Sequence, residues 1–207
     1  MLAALVKPKV STSSVETAEV ALPYVLLSPV VGVGAGSRAR GARLAAPLQV
    51  GPLTDETVAF GFSLQERTSQ PLVGAINRLR RTRGLTAVRV SPELSRAAVA
   101  HVRTLASGGL FSHDWEDGTP FATWIQRYYP PLPGGISWLA GENLVWANDR
   151  LDPAQTISSW LASPGHRRIL LDPSWRELGV GTVLAQEAPG AYAGRNVVIV
   201  AADFGTR

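Results

Sequence analysis

Three short phrases each set one ionisable side chain at a break in the local pattern: FSH (111–113), GEN (141–143) and SPGHR (163–167). Histidine is scarce, with three in 207 residues, so His101, His113 and His166 each need their own account. Cysteine is absent, which excludes disulfides and thiolate metal sites, so any metal would have to use His, carboxylate or water. His113, Glu142 and His166 are 29 and 24 positions apart. That is no local signature of the HExxH kind, and only a fold could bring the three together. Each also has a plainer reading: His113 as a cap for the last carbonyls of a helix, Glu142 as an ion-pair partner of Arg167, His166 as a turn residue after Pro-Gly.

The elements that would have to position these residues are marked by regular punctuation. PLVGAINRLRRTRG carries Leu72, Ile76 and Leu79 on one helical face and ends at Gly84, and its arginines Arg78, Arg80, Arg81 and Arg83 read as a solvated face. In SPELSRAAVAHVRTLASGG, Ser91 is the expected N-cap and Pro92 the first helical residue. Leu94, Ala98, His101 and Leu105 share a stripe there, which makes His101 a core histidine apart from the cleft. A third helix is expected from Thr119 as cap and Pro120 at its first position, with Phe121, Trp124, Ile125 and Tyr128 inward. A fourth starts at the Asp152-Pro153-Ala154-Gln155 capping box and stops at Pro164.

Strand-like runs follow at 141–148, 178–185 and 196–205. Helices grouped early and strands late argue an α+β fold with helices on the faces of a mainly antiparallel sheet. Trp124 and Trp160 read as core, while Trp115, Trp138 and Trp146 lie near the cleft phrases, where one could line a groove or all could cover sheet edges.

Residues 1–67 read as a tail and 68–207 as the folded domain. Within the tail, 20–36 is apolar, preceded by Lys7 and Lys9 and followed by arginines; it reads either as an export signal or anchor that would associate with a membrane, or as an apolar tail. Residues 32–54 look like a Gly/Ala/Arg/Pro linker, and GVGAGS lacks the third glycine of a dinucleotide fingerprint. The net charge of +4 and pI near 10.0 rest on 18 arginines among 20 basic residues, which suggests only weak attraction to anionic polymers and no nucleic-acid partner. A monomer is expected.

Taken in order, INRLRRTRGL, the L-x3-A-x2-H-x3-L run into FSH, DGTPF, AGENL, W-x2-SPGHR-x-IL, LGVG and the closing ADFG resemble the CAP superfamily of cysteine-rich secretory, antigen 5 and pathogenesis-related proteins, in a cysteine-free bacterial form. The resemblance covers about residues 72–205. It implies a three-layer α-β-α sandwich whose cleft floor holds two histidines and two acids able to bind Zn²⁺ or another divalent cation. By motif, His113, Glu142 and His166 supply three of the four, and Ser163 stands where longer relatives carry a carboxylate. Three protein ligands leave an open position, suited to zinc and to water activation. Asn143 is a supporting residue beside Glu142.

The resemblance further implies an extracellular or cell-envelope protein whose cleft recognises a lipid, a peptide or a wall component. The alternative is a metal-dependent hydrolase in the same cleft. A Ser-His-Glu hydrolase through Ser112 or Ser163 is disfavoured, because neither serine sits in a nucleophile elbow.

Overall fold

The β-branched runs form the centre of one sheet. The computed structural model describes residues 15–16, 25–27, 62–64, 66–134 and 137–207. In chain order the strands are β1 (Val15–Glu16), β2 (Val25–Leu27), β3 (Phe62–Leu64), β4 (Arg89–Val90), β5 (Trp138–Asn148), β6 (Glu177–Ala188) and β7 (Arg195–Thr206). They lie in the order β1-β5-β7-β6-β3, with β2 also on β5 and β4 on β6. Every pairing is antiparallel except the two-residue β4–β6 contact.

Strand alternation divides the apolar residues between two faces. On β7, Val198, Val200, Ala202 and Phe204 face α1 (Glu66–Thr82), α4 (Pro153–Ala162) and α5 (Pro164–Leu170), where Leu72, Ile76, Trp160, Ile169 and Leu170 complete one core. Val197, Ile199 and Ala201 face the other way, against Ala98, Val102, Leu105 and Ala106 of α2 (Pro92–Gly108). A third cluster joins Leu94 and Ala97 of α2 to Phe121 and Trp124 of α3 (Phe121–Trp124) and to Trp138 and Ala140 of β5. The fold is therefore α+β: helices on both faces of a mainly antiparallel sheet, the three-layer sandwich expected.

The helix caps follow from the residues. The Ser91 hydroxyl accepts from the Leu94 N–H, and Asp152 with Gln155 closes a reciprocal capping box. Several expectations differ. Arg80, read as part of a solvated face, is fully buried and donates from Nε to the Thr86 carbonyl and from Nη1 to those of Leu170 and Asp172. The first helix begins at Glu66 and carries Pro71 inside it, and the third is a single turn that passes into a 3₁₀ turn at Ile125–Arg127. Thr119 does not cap that turn: its N–H donates to Asp117 Oδ1, and Pro120 takes the cap position. Pro164 does not merely stop α4. Its fixed φ opens α5, so His166 lies in a helical first turn rather than in a Pro-Gly turn.

Of the expected tail, Val25–Leu27 pairs with β5 opposite Trp138 to Ala140, and Phe62–Leu64 pairs with β6. The rest of the 20–36 segment and the 32–54 linker lie outside the described residues.

Candidate functional site

The site starts from α2, whose buried stripe places His101 against the sheet with no exposed surface. Its Nδ1 lies 2.7 Å from Glu142 Oε2. His113 approaches the other oxygen of the same carboxylate, with Nδ1 2.7 Å from Oε1. A carboxylate can only accept, so both imidazoles carry their hydrogen on Nδ1 and donate to Glu142.

The loop that carries His113 is fixed from several sides. Gly109 ends α2 at φ 65°, where a Cβ would also meet the Pro189–Gly190 backbone. Tyr192 Oη donates to the Leu110 carbonyl at 2.7 Å, and Trp124 Nε1 donates to that of His113 at 2.9 Å.

Glu142 points from β5 toward the α2 side and stands opposite Asp203 of β7 in the ladder. Asn143, the next residue, points to the other face, where its Nδ2 donates to the His166 backbone oxygen at 3.0 Å. That bond ties the start of α5 to β5 and brings the His166 ring to a centroid separation of 6.4 Å from His113. The His166 residue is 2% exposed, and neither of its ring nitrogens has a hydrogen-bond partner. Trp115, half-buried, stacks on His101 at 5.6 Å and 16° and roofs the cluster.

The electrostatics are set by one anion among imidazoles. Burial pushes the Glu142 carboxyl up, but the charge and hydrogen bonds of His101 and the hydrogen bond of His113 outweigh it and hold the group well below the usual carboxylate range. Burial, and then the neighbouring His113, push His166 down to about 4 against the pull of Glu142, so His166 is a neutral imidazole at physiological pH. Asp203 is driven the other way, well above the usual range, by burial and by the Glu142 anion beside it.

The low value at His166 predicts a pH signature. Its folded-state value lies below the ordinary 6.5, so the stability it contributes is complete above about pH 6.5 and is lost as pH falls toward about 4. Urea melts of wild type and His166→Asn at about pH 7 and about pH 4.5 should therefore differ, with wild type losing on the order of 2 kcal/mol more than the variant on acidification.

A three-ligand metal centre built from His113, Glu142 and His166 does not fit this arrangement. Both Glu142 oxygens are occupied by imidazole N–H groups, and among the described residues no three His, Asp or Glu side chains are placed to hold an ion. The carboxylate orients His113 from behind instead.

His113, Glu142 and His166 thus come together, with Asn143 supporting His166 from the opposite face. Ser163, at the α4–α5 junction, makes no side-chain cap and no hydrogen bond to the other three among the described residues. Arg167 bonds the Leu161 carbonyl rather than Glu142. His101 corrects the sequence reading: it is core, as its stripe implied, yet bonds Glu142 directly, because one helix residue can pack apolar carbons on Trp124 and still aim a ring nitrogen at the sheet. Asp203 was missed. Its signal was a lone acid in the otherwise apolar strand NVVIVAADFG.

A three-layer sandwich with a buried carboxylate bonded to two histidines defines a class, and comparison with known proteins agrees on the fold. Residues 73–200 match the profile of the CAP, or cysteine-rich secretory protein, family. The chain belongs to that family. It is 30% identical over 114 residues to the uncharacterized protein YkwD of Bacillus subtilis (strain 168), a match covering 54% of this chain and 41% of that protein. The chain thus spans less than half the length of this relative.

Among solved structures, an outer surface protein of Borrelia burgdorferi superposes with a TM-score of 0.57 at 19% identity, covering 72% of this chain and 98% of that one. An extracellular SCP-domain protein of Bacillus anthracis str. Ames gives 0.52 at 23% identity, covering 68% of this chain and 41% of that one. At such identities the likeness is one of fold.

Proposed function

We propose that this protein is an extracytoplasmic binding module of the CAP family. In this reading its cleft takes the polar part of a cell-envelope ligand, a lipid, peptide or wall component, between His113 and His166. The observation that carries it is His166: a buried neutral imidazole with two unpartnered nitrogens, its ring centroid 6.4 Å from that of His113. Buried polar atoms are rarely left unsatisfied, and a buried imidazole with no protein partner calls for an ordered water, an ion or a bound ligand.

His113 supports the same reading. With Nδ1–H committed to Glu142, the Nε2 of His113 is the nitrogen left for a ligand, while neutral His166 offers one donor and one acceptor. The pair suits hydroxyl, amide or headgroup chemistry more than a bare anion. Location outside the cytoplasm is supported by relatives described as an extracellular protein and an outer surface protein, and by the apolar segment at 20–36.

The test is capture from a detergent and enzymatic extract of cell envelope, with the retained small molecules read by mass spectrometry. Wild type should retain a component that folded His166→Ala and His113→Ala both lose. Retention by both variants would place binding elsewhere. The His113–Glu142 bond also favours a second reading, in which His113 is the general base of a hydrolase. Conversion of the retained component over time, measured in the same experiment, would select it.

A further inference from the structure

The resemblance leaves the cleft one acid short, with Ser163 where relatives carry a carboxylate, yet the structure holds a second carboxyl elsewhere. Asp203 has no exposed surface and stands directly opposite Glu142 in the β5–β7 ladder. Both side chains project toward α2, since Glu142 bonds His101 on that face and Asp203 alternates with Val198, Val200, Ala202 and Phe204 on the other. Neither Asp203 oxygen meets an N–H or O–H donor. The carboxyl directly across the ladder on the same face is that of Glu142.

Two carboxyls can share a hydrogen bond only if one keeps its proton, and two anions in contact inside a core cannot both persist. Glu142 is the one that must be ionised, because it accepts from His101 through Oε2 and from His113 through Oε1. We propose that Asp203 is a positioning residue of the cleft: it keeps its proton and donates it to Glu142, so that Glu142 remains an anion holding both His101 and His113 by their Nδ1–H groups.

The other groups facing this cluster are consistent with the assignment. His166 is neutral, and the aromatic neighbours Trp115 and Trp124 bring no charge. No arginine forms an ion pair with Asp203 or Glu142 among the described residues. The cluster therefore holds one ionised carboxyl, Glu142, where two in contact would repel. Asp203 acts through Glu142 and not on a ligand. The inference concerns the same cleft as the binding proposal, but it rests on geometry and its test reads no ligand.

Isotope-edited infrared spectroscopy of the intact protein at neutral pH tests it. The expected spectrum contains a protonated-carboxyl C=O band that shifts when aspartate is ¹³C-labelled, stays put when glutamate is labelled, and disappears in Asp203→Asn. Asparagine keeps an N–H donor for Glu142, so this variant should retain the low-field Nδ1–H proton resonances of His101 and His113, whereas Asp203→Val should lose or shift them. Absence of the band, a band that follows the glutamate label, or a band that survives in Asp203→Asn would overturn the proposal. The labelling arm needs no variant and stands even if one fails to fold.

Discussion

Replacing Gly179 or Gly181 by alanine is expected to unfold this domain more readily than any other change of one methyl group. Both residues lie on β6 beneath α2, and a Cβ built at Gly179 overlaps the Leu94 carbonyl and the Ser95 nitrogen. At Gly181 it overlaps the Ala98–Val99 peptide. These obstacles are helix backbone, not the tip of a flexible side chain, so relief requires the whole of α2 to lift from the sheet. Such overpacking should cost about 3 kcal/mol or more, which for a domain of this size lowers Tm by on the order of 10 °C.

The position of α2 also sets His101, and it carries the chain into the His113 loop, so the variants should lose the cleft with the packing. Gly74→Ala is the control: on α1 its new methyl would meet only Arg78 Nη1 at 3.5 Å. There alanine should stabilise by about 0.5–1 kcal/mol through helix propensity. Thermal melts of the three variants read the contrast.

The second large effect belongs to Glu142. Glu142→Ala leaves the Nδ1–H groups of His101 and His113 without their acceptor and Asp203 without its neighbour, in a region where none of these residues is more than 3% exposed. Stranding one side of a buried charged network costs on the order of 3–5 kcal/mol. Its pH dependence has a defined sign. Because the folded-state value is held below the ordinary 4.5, the contribution of Glu142 is present above that pH and is lost as pH falls below it. Wild type should therefore destabilise on acidification through that window. Glu142→Gln, which cannot ionise, should start less stable and lack that part of the slope.

Much of this could be read from the chain alone. The layers were legible because hydrophobic spacing and caps agree, as in the Ser91-Pro92 start of α2 and the Asp152–Gln155 box of α4. What escaped did so for physical reasons. Only Ser163 separates the end of α4 from the start of α5, and Pro164, which suits a first helical position as well as a break, gave no means of telling them apart. His101 was hidden because a stripe reports which face is buried and not which polar atom lies under it. Asp203 was hidden because its partner is set by strand register, which no local pattern in NVVIVAADFG specifies. The expected set of His113, Glu142 and His166 named neighbours that the fold does bring together, but nothing in the spacing of the phrases showed that both Glu142 oxygens accept imidazole N–H bonds, from His101 as well as His113.

With only three histidines in the chain, a side-chain ¹⁵N spectrum of histidine-labelled protein resolves each ring, and it tests the cleft most directly. His101 and His113 should carry their hydrogen on Nδ1. His166 should stay neutral down to about pH 4, and the envelope extract should perturb the Nε2 of His113 together with the His166 ring. A His113 with its hydrogen on Nε2, or a His166 that protonates near the ordinary 6.5 and does not respond to the extract, would contradict this arrangement.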